Sequence, residues 1–255
     1  MYNLLMGKRV LVVGGSEEFI GAPFLAGIAA LRSGAESVIV MAPEKVAWAI
    51  NALSPDLITK KLKGKYLSSG HAAAVRRQLK TADILVLGNG ATTRAETAAL
   101  LRPLMRWPGQ KVIDADALKV LRRNAAANAI LTPNENEWKI INERNDIRKL
   151  LRKNIVIIKK GFPATIISAA KTFHMSRTNR GLGKAGTGDV LAGLCAGLLA
   201  QGFSLWDAAK SATALGNRIA DILTKKKKGY HFLASDIAAA SKLSRQLRNI
   251  RNKRG

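Results

Sequence analysis

Lys8-Arg9-Val10-Leu11-Val12-Val13-Gly14-Gly15 is the stretch that decides the fold. A continuous apolar run ending in glycines is the pattern of a strand buried on both faces, as in a parallel sheet. Pro23 then opens an apolar, alanine-rich stretch to Leu31, with Gly34 just past its end. Proline early and glycine late bound a helix. Residues 37–41 read as the next strand, which closes a βαβ unit.

The alternation continues down the chain. Residues 84–87, 111–113, 129–131, 155–158 and 165–168 read as strands. Residues 72–80, 94–101, 188–199, 204–223 and 235–247 read as helices, and Asp116 is expected to cap another running to about residue 124. Strands alternating with helices predict a mostly parallel sheet covered on both faces. No repeat and no Pro/Gly/Ser-rich linker divides the chain, so one domain is expected over residues 1–255.

Composition narrows the partners. Hydrophobic residues make up 47% of the 255 and charged residues 23%, which suits a globular protein with a core. Lys and Arg total 42 against 17 Asp and Glu, giving a net charge of +25. That balance excludes cationic partners and favours nucleotides, phosphorylated metabolites, nucleic acid or an acidic membrane face. The lone Cys195 rules out an internal disulfide framework and a Cys-rich zinc site, and it fits a reducing cytoplasm. No apolar run reaches the length of a membrane-spanning helix. At the N-terminus the charges follow a short apolar stretch, the reverse of a signal peptide.

In such sheets ligands bind outside the carboxyl ends of the strands. The segments to search are therefore 14–22, 88–93, 114–116, 132–137, 160–164 and 183–189. The strongest is Gly186-Thr187-Gly188-Asp189-Val190-Leu191-Ala192-Gly193. Glycines at a helix start let a phosphate approach free backbone N–H groups, and the helix dipole favours the anion. Asp189 in that first turn has two readings. It deprotonates a hydroxyl that attacks the phosphoryl group, or it merely stabilises the helix N-terminus. Residues 181–186 fit a dinucleotide pattern but follow no clear strand, and Ala185 stands where a P-loop needs Ser or Thr. Gly88-Asn89-Gly90 follows a strand, but Thr93 takes the place of the third glycine.

An ordered set of motifs resembles the NAD(P)H-hydrate dehydratases of the ribokinase-like superfamily. It comprises Val12-Val13-Gly14-Gly15-Ser16, Gly21-Ala22-Pro23, Ala30-Leu31-Arg32-Ser33-Gly34-Ala35, Leu53-Ser54-Pro55-Asp56-Leu57, Ile113-Asp114-Ala115-Asp116-Ala117-Leu118, Ile130-Leu131-Thr132-Pro133, Ile158-Lys159-Lys160-Gly161 and the Gly186 to Gly193 block. The resemblance implies a ribokinase-like three-layer α/β/α sandwich with a mostly parallel central sheet. It implies a repair enzyme that removes misplaced water from NADH or NADPH hydrate with ADP or ATP as co-substrate. Hydroxide leaves poorly and phosphate leaves well, so phosphorylating the ring hydroxyl enables elimination.

By the same resemblance Asp189 is the base at the hydroxyl. Ala22, Gly90, Asn134 and Asp189 contact the hydrate. Lys160, Gly161, Phe162, Pro163, Ala164, Gly186, Thr187 and Gly188 hold the adenine nucleotide. Mg²⁺ arrives bridging phosphate oxygens, with Glu137 its candidate organiser or, alternatively, a helix N-terminal carboxylate. The resemblance also implies a homo-oligomer, often a tetramer, with epimerisation left either to a separate protein or to spontaneous interconversion; a cytoplasmic location is expected. No membrane partner is expected, nor nucleic acid.

Two departures stand out. The family usually carries Gly-Pro-Gly-Leu-Gly where this chain has Gly88-Asn89-Gly90-Ala91-Thr92, and His where Asn134 stands. Asn134-Glu135-Asn136-Glu137 is similar to the Asn-x-x-Glu segment of related kinases. That similarity supports an alternative: a small-molecule kinase for a hydroxymethyl-pyrimidine, a thiazole or a sugar alcohol.

The remaining residues have plainer readings. His71, His174 and His231 are scattered, and Cys195 reads as a buried inert thiol. Trp48, Trp107, Trp138 and Trp206 read as packing residues, Trp107 alternatively as a surface contact. Lys225 to Lys228 and the basic C-terminus form a solvated face or attract polyanions.

Overall fold

The strand β1 (Arg9–Val13) alternates its side chains between two separate cores. Val10 and Val12 enter one, Leu11 and Val13 the other. The strands β4 (Ile84–Leu87) and β7 (Ile155–Lys159) do the same, with Val86 and Ile158 on the first face and Leu87 and Ile157 on the second. This is why these runs read as unbroken apolar sequence.

The computed structural model describes residues 8–123 and 125–241. The remaining strands are β2 (Ser37–Pro43), β3 (Ile58–Leu62), β5 (Gln110–Ile113), β6 (Ala129–Leu131), β8 (Thr165–Ile167) and β9 (Thr172–His174). The strands form one sheet in the order β3-β2-β1-β4-β5-β6-β7-β8-β9. All pairings are parallel from β3 through β7, and β8 and β9 add antiparallel at that edge. Helices α1 (Gly21–Arg32), α2 (Glu44–Leu53), α8 (Thr187–Ala200), α9 (Leu205–Lys226) and α10 (Ala234–Ala240) cover one face. Helices α3 (Ala72–Leu79), α4 (Ala95–Leu104), α5 (Asp116–Val120), α6 (Glu135–Arg144) and α7 (Ile147–Leu151) cover the other. This is the expected three-layer α/β/α sandwich.

Small residues set how closely α1 and α8 approach. A Cβ on Gly193 would collide with the Ala26 carbonyl and Ala29, and one on Gly197 with Ser33 and the Ala30 carbonyl. The two glycines are four residues apart and so share one helix face. Ala26, Ala29 and Ala30 are fully buried opposite them.

Several expectations need correction. Asp116 does not cap its helix: Ala115, at φ 50°, occupies that position, and the helix ends at Val120. The Asp116 carboxylate instead accepts from the Thr92 N–H at 2.9 Å and the Lys119 ammonium at 2.8 Å. Trp48 is no packing residue, being 60% exposed with the Lys61 ammonium 4.1 Å over its ring. The last helix runs from Ala234 to Ala240 with Ser241 as its C-cap, and residues 242–247 of its expected range, like the basic run 245–254, lie outside the described residues. No helix among the described residues is long and apolar enough to cross a membrane.

Lys111 is fully buried on β5, and its ammonium donates to the Ala127 carbonyl. Burial pushes its pKa down to about 8. The folded chain therefore holds this proton less tightly than the unfolded chain. The resulting penalty is full below pH 8 and is relieved as pH rises towards the ordinary lysine value. Lys111→Met should stabilise the protein at pH 7 by about 2–3 kcal/mol and by clearly less at alkaline pH, as read from thermal unfolding. An equal gain at both pH values would contradict this origin.

Candidate active site

The sheet order reverses between β1 and β4, and a crevice at the carboxyl ends is expected there. Two turns meet at that point. Gly15 N–H donates to the Asn89 carbonyl at 2.8 Å, and a Cβ on Gly14 would overlap that same carbonyl. Glycine is required at Gly88 as well, where φ is +109° and a Cβ would strike the Asp114 carbonyl. A Cβ on Gly90 would lie 2.7 Å from Phe19 and 3.1 Å from Ala22. Ala22 and Gly90, both expected at the substrate, are thus brought together, and Phe19 stands beside them 53% exposed.

The start of α8 closes the crevice. Gly186 caps it in a left-handed conformation, φ 83°, with no room for a Cβ beside Leu25 and Ala234. Thr187 is committed to structure: its hydroxyl donates to the Leu182 and Lys184 carbonyls at 2.6 and 2.7 Å. The N–H groups of Gly188 and Asp189 have no acceptor among the described residues. They are the free donors that an anion at a helix N-terminus requires.

A chain of buried polar groups lies beneath. Asn89 donates to Asp189 Oδ1 at 2.7 Å and to Asp114 Oδ2 at 3.0 Å. Asp114 Oδ1 also accepts from the Thr132 hydroxyl at 2.6 Å and the Lys160 ammonium at 3.1 Å. Lys160 lies 3.8 Å from Glu137 Oε2, and its Nζ is 3.1 Å from where a Gly188 Cβ would sit. Burial, and then the neighbouring Asp114 charge, push the Asp189 pKa up to about 7. Burial disfavours the Lys160 charge, but Asp114 and Glu137 outweigh it and hold its pKa above the usual lysine value. A carboxyl near 7 beside a fixed cation and free N–H donors can take a proton from a hydroxyl while a phosphate sits alongside.

Asn134 and Glu137 form a capping box at the start of α6. The Asn134 side chain accepts from Glu137 N–H at 2.9 Å, and Glu137 Oε2 accepts from Asn134 N–H at 2.8 Å. The Asn-x-x-Glu pattern therefore has a complete local cause.

A cavity of about 460 Å³ opens between β7, α8 and α9. Its walls include Asn134, Lys160, Gly161, Phe162, Ala164, Thr187 and Gly188. Of the expected nucleotide residues, only Pro163 and Gly186 stay off the wall, each next to a residue on it. The sequence reading missed Lys184 and also Leu182, Leu191, Leu194 and Ile237, the last four of which make much of the wall apolar. Leu191 and Leu194 were detectable as an i, i+3 pair on the face of α8. Lys184, on the cavity wall, ties down the 230–232 segment by donating to the Tyr230 and Phe232 carbonyls. Cys195 is fully buried, and burial pushes its thiol pKa far up, so it is inert.

A family model described as NAD(P)H-hydrate dehydratase matches residues 10–243. The chain belongs to the NAD(P)H-hydrate dehydratase family. A bifunctional NAD(P)H-hydrate repair enzyme of Methanocaldococcus jannaschii is 37% identical over 234 residues, covering 90% of this chain and 46% of that protein. The chain thus spans about half the length of the bifunctional relatives it matches. An ADP-dependent (S)-NAD(P)H-hydrate dehydratase of Nitrosopumilus maritimus is 32% identical, covering 89% of this chain and 85% of that protein. Among solved structures, the Bacillus subtilis ADP/ATP-dependent NAD(P)H-hydrate dehydratase, co-crystallised with ATP and Mg²⁺ and soaked with CoA, superimposes at TM-score 0.73. It is 22% identical and covers 94% of this chain and 93% of that one. This likeness confirms the ribokinase-like fold.

Proposed function

We propose that the chain catalyses nucleotide-dependent dehydration of (S)-NAD(P)H hydrate, with Asp189 as the base. One observation carries this reading: Asp189, its pKa near 7, stands in the first turn of a helix whose opening residues Thr187 and Gly188 line a nucleotide-sized cavity. Family membership and the named relatives support the dehydratase over the kinase alternative. The Asn134–Glu137 capping box gives that segment a local structural role that needs no kinase substrate.

The apolar cavity receives the adenine end of ADP or ATP. The N–H groups of Gly188 and Asp189 and the Lys160 ammonium bind its terminal phosphates. The hydrate lies over Ala22 and Gly90 with its ring hydroxyl towards Asp189. Asp189 takes the hydroxyl proton as the oxygen attacks phosphorus, and the phosphoanhydride breaks to release AMP or ADP. The ring nitrogen then expels phosphate by breaking the carbon–oxygen bond. Loss of a proton from the neighbouring ring carbon restores the double bond.

The residues present fit Mg²⁺ only as an ion carried by phosphate oxygens. No cluster of three or more His, Cys, Asp or Glu able to hold a metal occurs among the described residues. Glu137 would be the carboxylate that holds it, through Oε1, since Oε2 accepts from Asn134 N–H and lies 3.8 Å from Lys160. When bound, such an ion neutralises phosphate charge.

Because Asp189 must be ionised to act, kcat/KM should rise with pH through about 7. A profile flat from pH 5 to pH 9 would contradict the assignment. The activity itself is tested by recovery of NADH absorbance from its hydrate. Recovery is expected only with ADP or ATP present, and none with either nucleotide would remove the reading.

A further inference from the structure

Asn89 is fully buried at the crossing of the two turns, yet its amide is only half satisfied. Its Nδ2 donates to two carboxylates from different elements, Asp114 and Asp189. Between two carboxylates an amide has one acceptable orientation, with its NH₂ facing them. Oδ1 is then left buried without a partner. An unpaired buried acceptor costs about 1–3 kcal/mol, so an amide at this position serves something other than stability. The backbone fixes the side chain from behind, through the bond from Gly15 N–H to the Asn89 carbonyl.

We propose that Asn89 is a positioning residue: its amide pins Asp189 Oδ1 so that Oδ2 is presented, ionised, to the acceptor hydroxyl. This rests on the reading of Asp189 as the base. Among the described residues no other side chain donates to Asp189, and Oδ2 carries no hydrogen bond. The charges around it are those of Asp114 and Asp116, which oppose its ionisation, and Lys160, which favours it. The Lys160 ammonium makes its side-chain hydrogen bond to Asp114 and none to Asp189. Asn89 is therefore the donor that favours the carboxylate form directly.

The test is the pH profile of kcat/KM for the hydrate at saturating nucleotide, in wild type, Asn89→Ala, Asn89→Ser and Asp189→Asn. Without the amide, Asp189 should hold its proton more tightly. The acid limb of Asn89→Ala should move up by about one pH unit. Its kcat/KM should fall about fivefold at pH 7, about tenfold on the acid limb below it, and recover on the alkaline plateau, with the nucleotide KM within about twofold of wild type. Asn89→Ser keeps one donor and should fall between; it gives the reading if the alanine variant does not fold. A limb that stays at the wild-type pH in whichever variant folds, with activity lowered equally at every pH, overturns the proposal. Asp189→Asn separates the two ideas. If it is inactive while the limb stays put in the Asn89 variants, Asp189 stands and Asn89 falls. If it keeps wild-type activity, the base assignment falls and the proposal with it.

Discussion

Asp189→Asn should lower kcat by about three orders of magnitude, within the range lost when a positioned general base is removed. The replacement is nearly isosteric, and the Asn89 amide can still donate to the new side-chain carbonyl. What disappears is the acceptor for the hydroxyl proton. The main-chain donors at 188 and 189 are untouched, so the nucleotide should bind at least as tightly. Removing a negative charge beside its phosphates should even tighten it by a few fold. Turnover assays paired with calorimetric titration of ADP and ATP check both halves. Wild-type turnover in a folded variant would contradict the role, as would a large loss of nucleotide affinity.

Gly193→Val should cost about 3–5 kcal/mol and leave little folded protein at 37 °C. The added atoms meet backbone on α1, the Ala26 carbonyl, rather than the end of a flexible side chain. Helix α8 can escape only by moving off α1. That movement would also carry Gly188 and Asp189, at its N-terminus, away from Asn89 and Lys160. Gly202→Ala is a control for the method: nothing lies near its Cβ, but its φ is +83°, so only backbone strain of about 1 kcal/mol is expected. Denaturant unfolding of both variants gives the comparison. A Gly193→Val protein as stable as Gly202→Ala would show that α1 and α8 are less tightly apposed than described.

The central strands were legible because β1, β4 and β7 are buried on both faces, and such strands leave an unmistakable apolar run. The edge strand β3 was not. Its sequence, Ile58-Thr59-Lys60-Lys61-Leu62, puts Lys60 and Lys61 in solvent and Thr59 inside. Helix α5 was overread because Asp116 resembles a cap in sequence, whereas its carboxylate is drawn to Thr92 across the crevice. The Gly186 to Asp189 segment was legible because its chemistry is local: glycine conformation, free N–H groups and a first-turn carboxylate. Asn89 was not legible. Its partners lie 25 and 100 residues away, and Gly-Asn-Gly read alone is only a turn.

The most direct test of phosphoryl transfer is to follow the oxygen of the ring hydroxyl. Hydrate carrying heavy oxygen at that position is turned over with ADP or ATP, and the released phosphate is weighed by mass spectrometry. If Asp189 readies the hydroxyl to attack phosphorus, the label leaves in inorganic phosphate, one atom per turnover. If the label appears in water and the phosphate stays light, the oxygen never reached phosphorus, and the account fails.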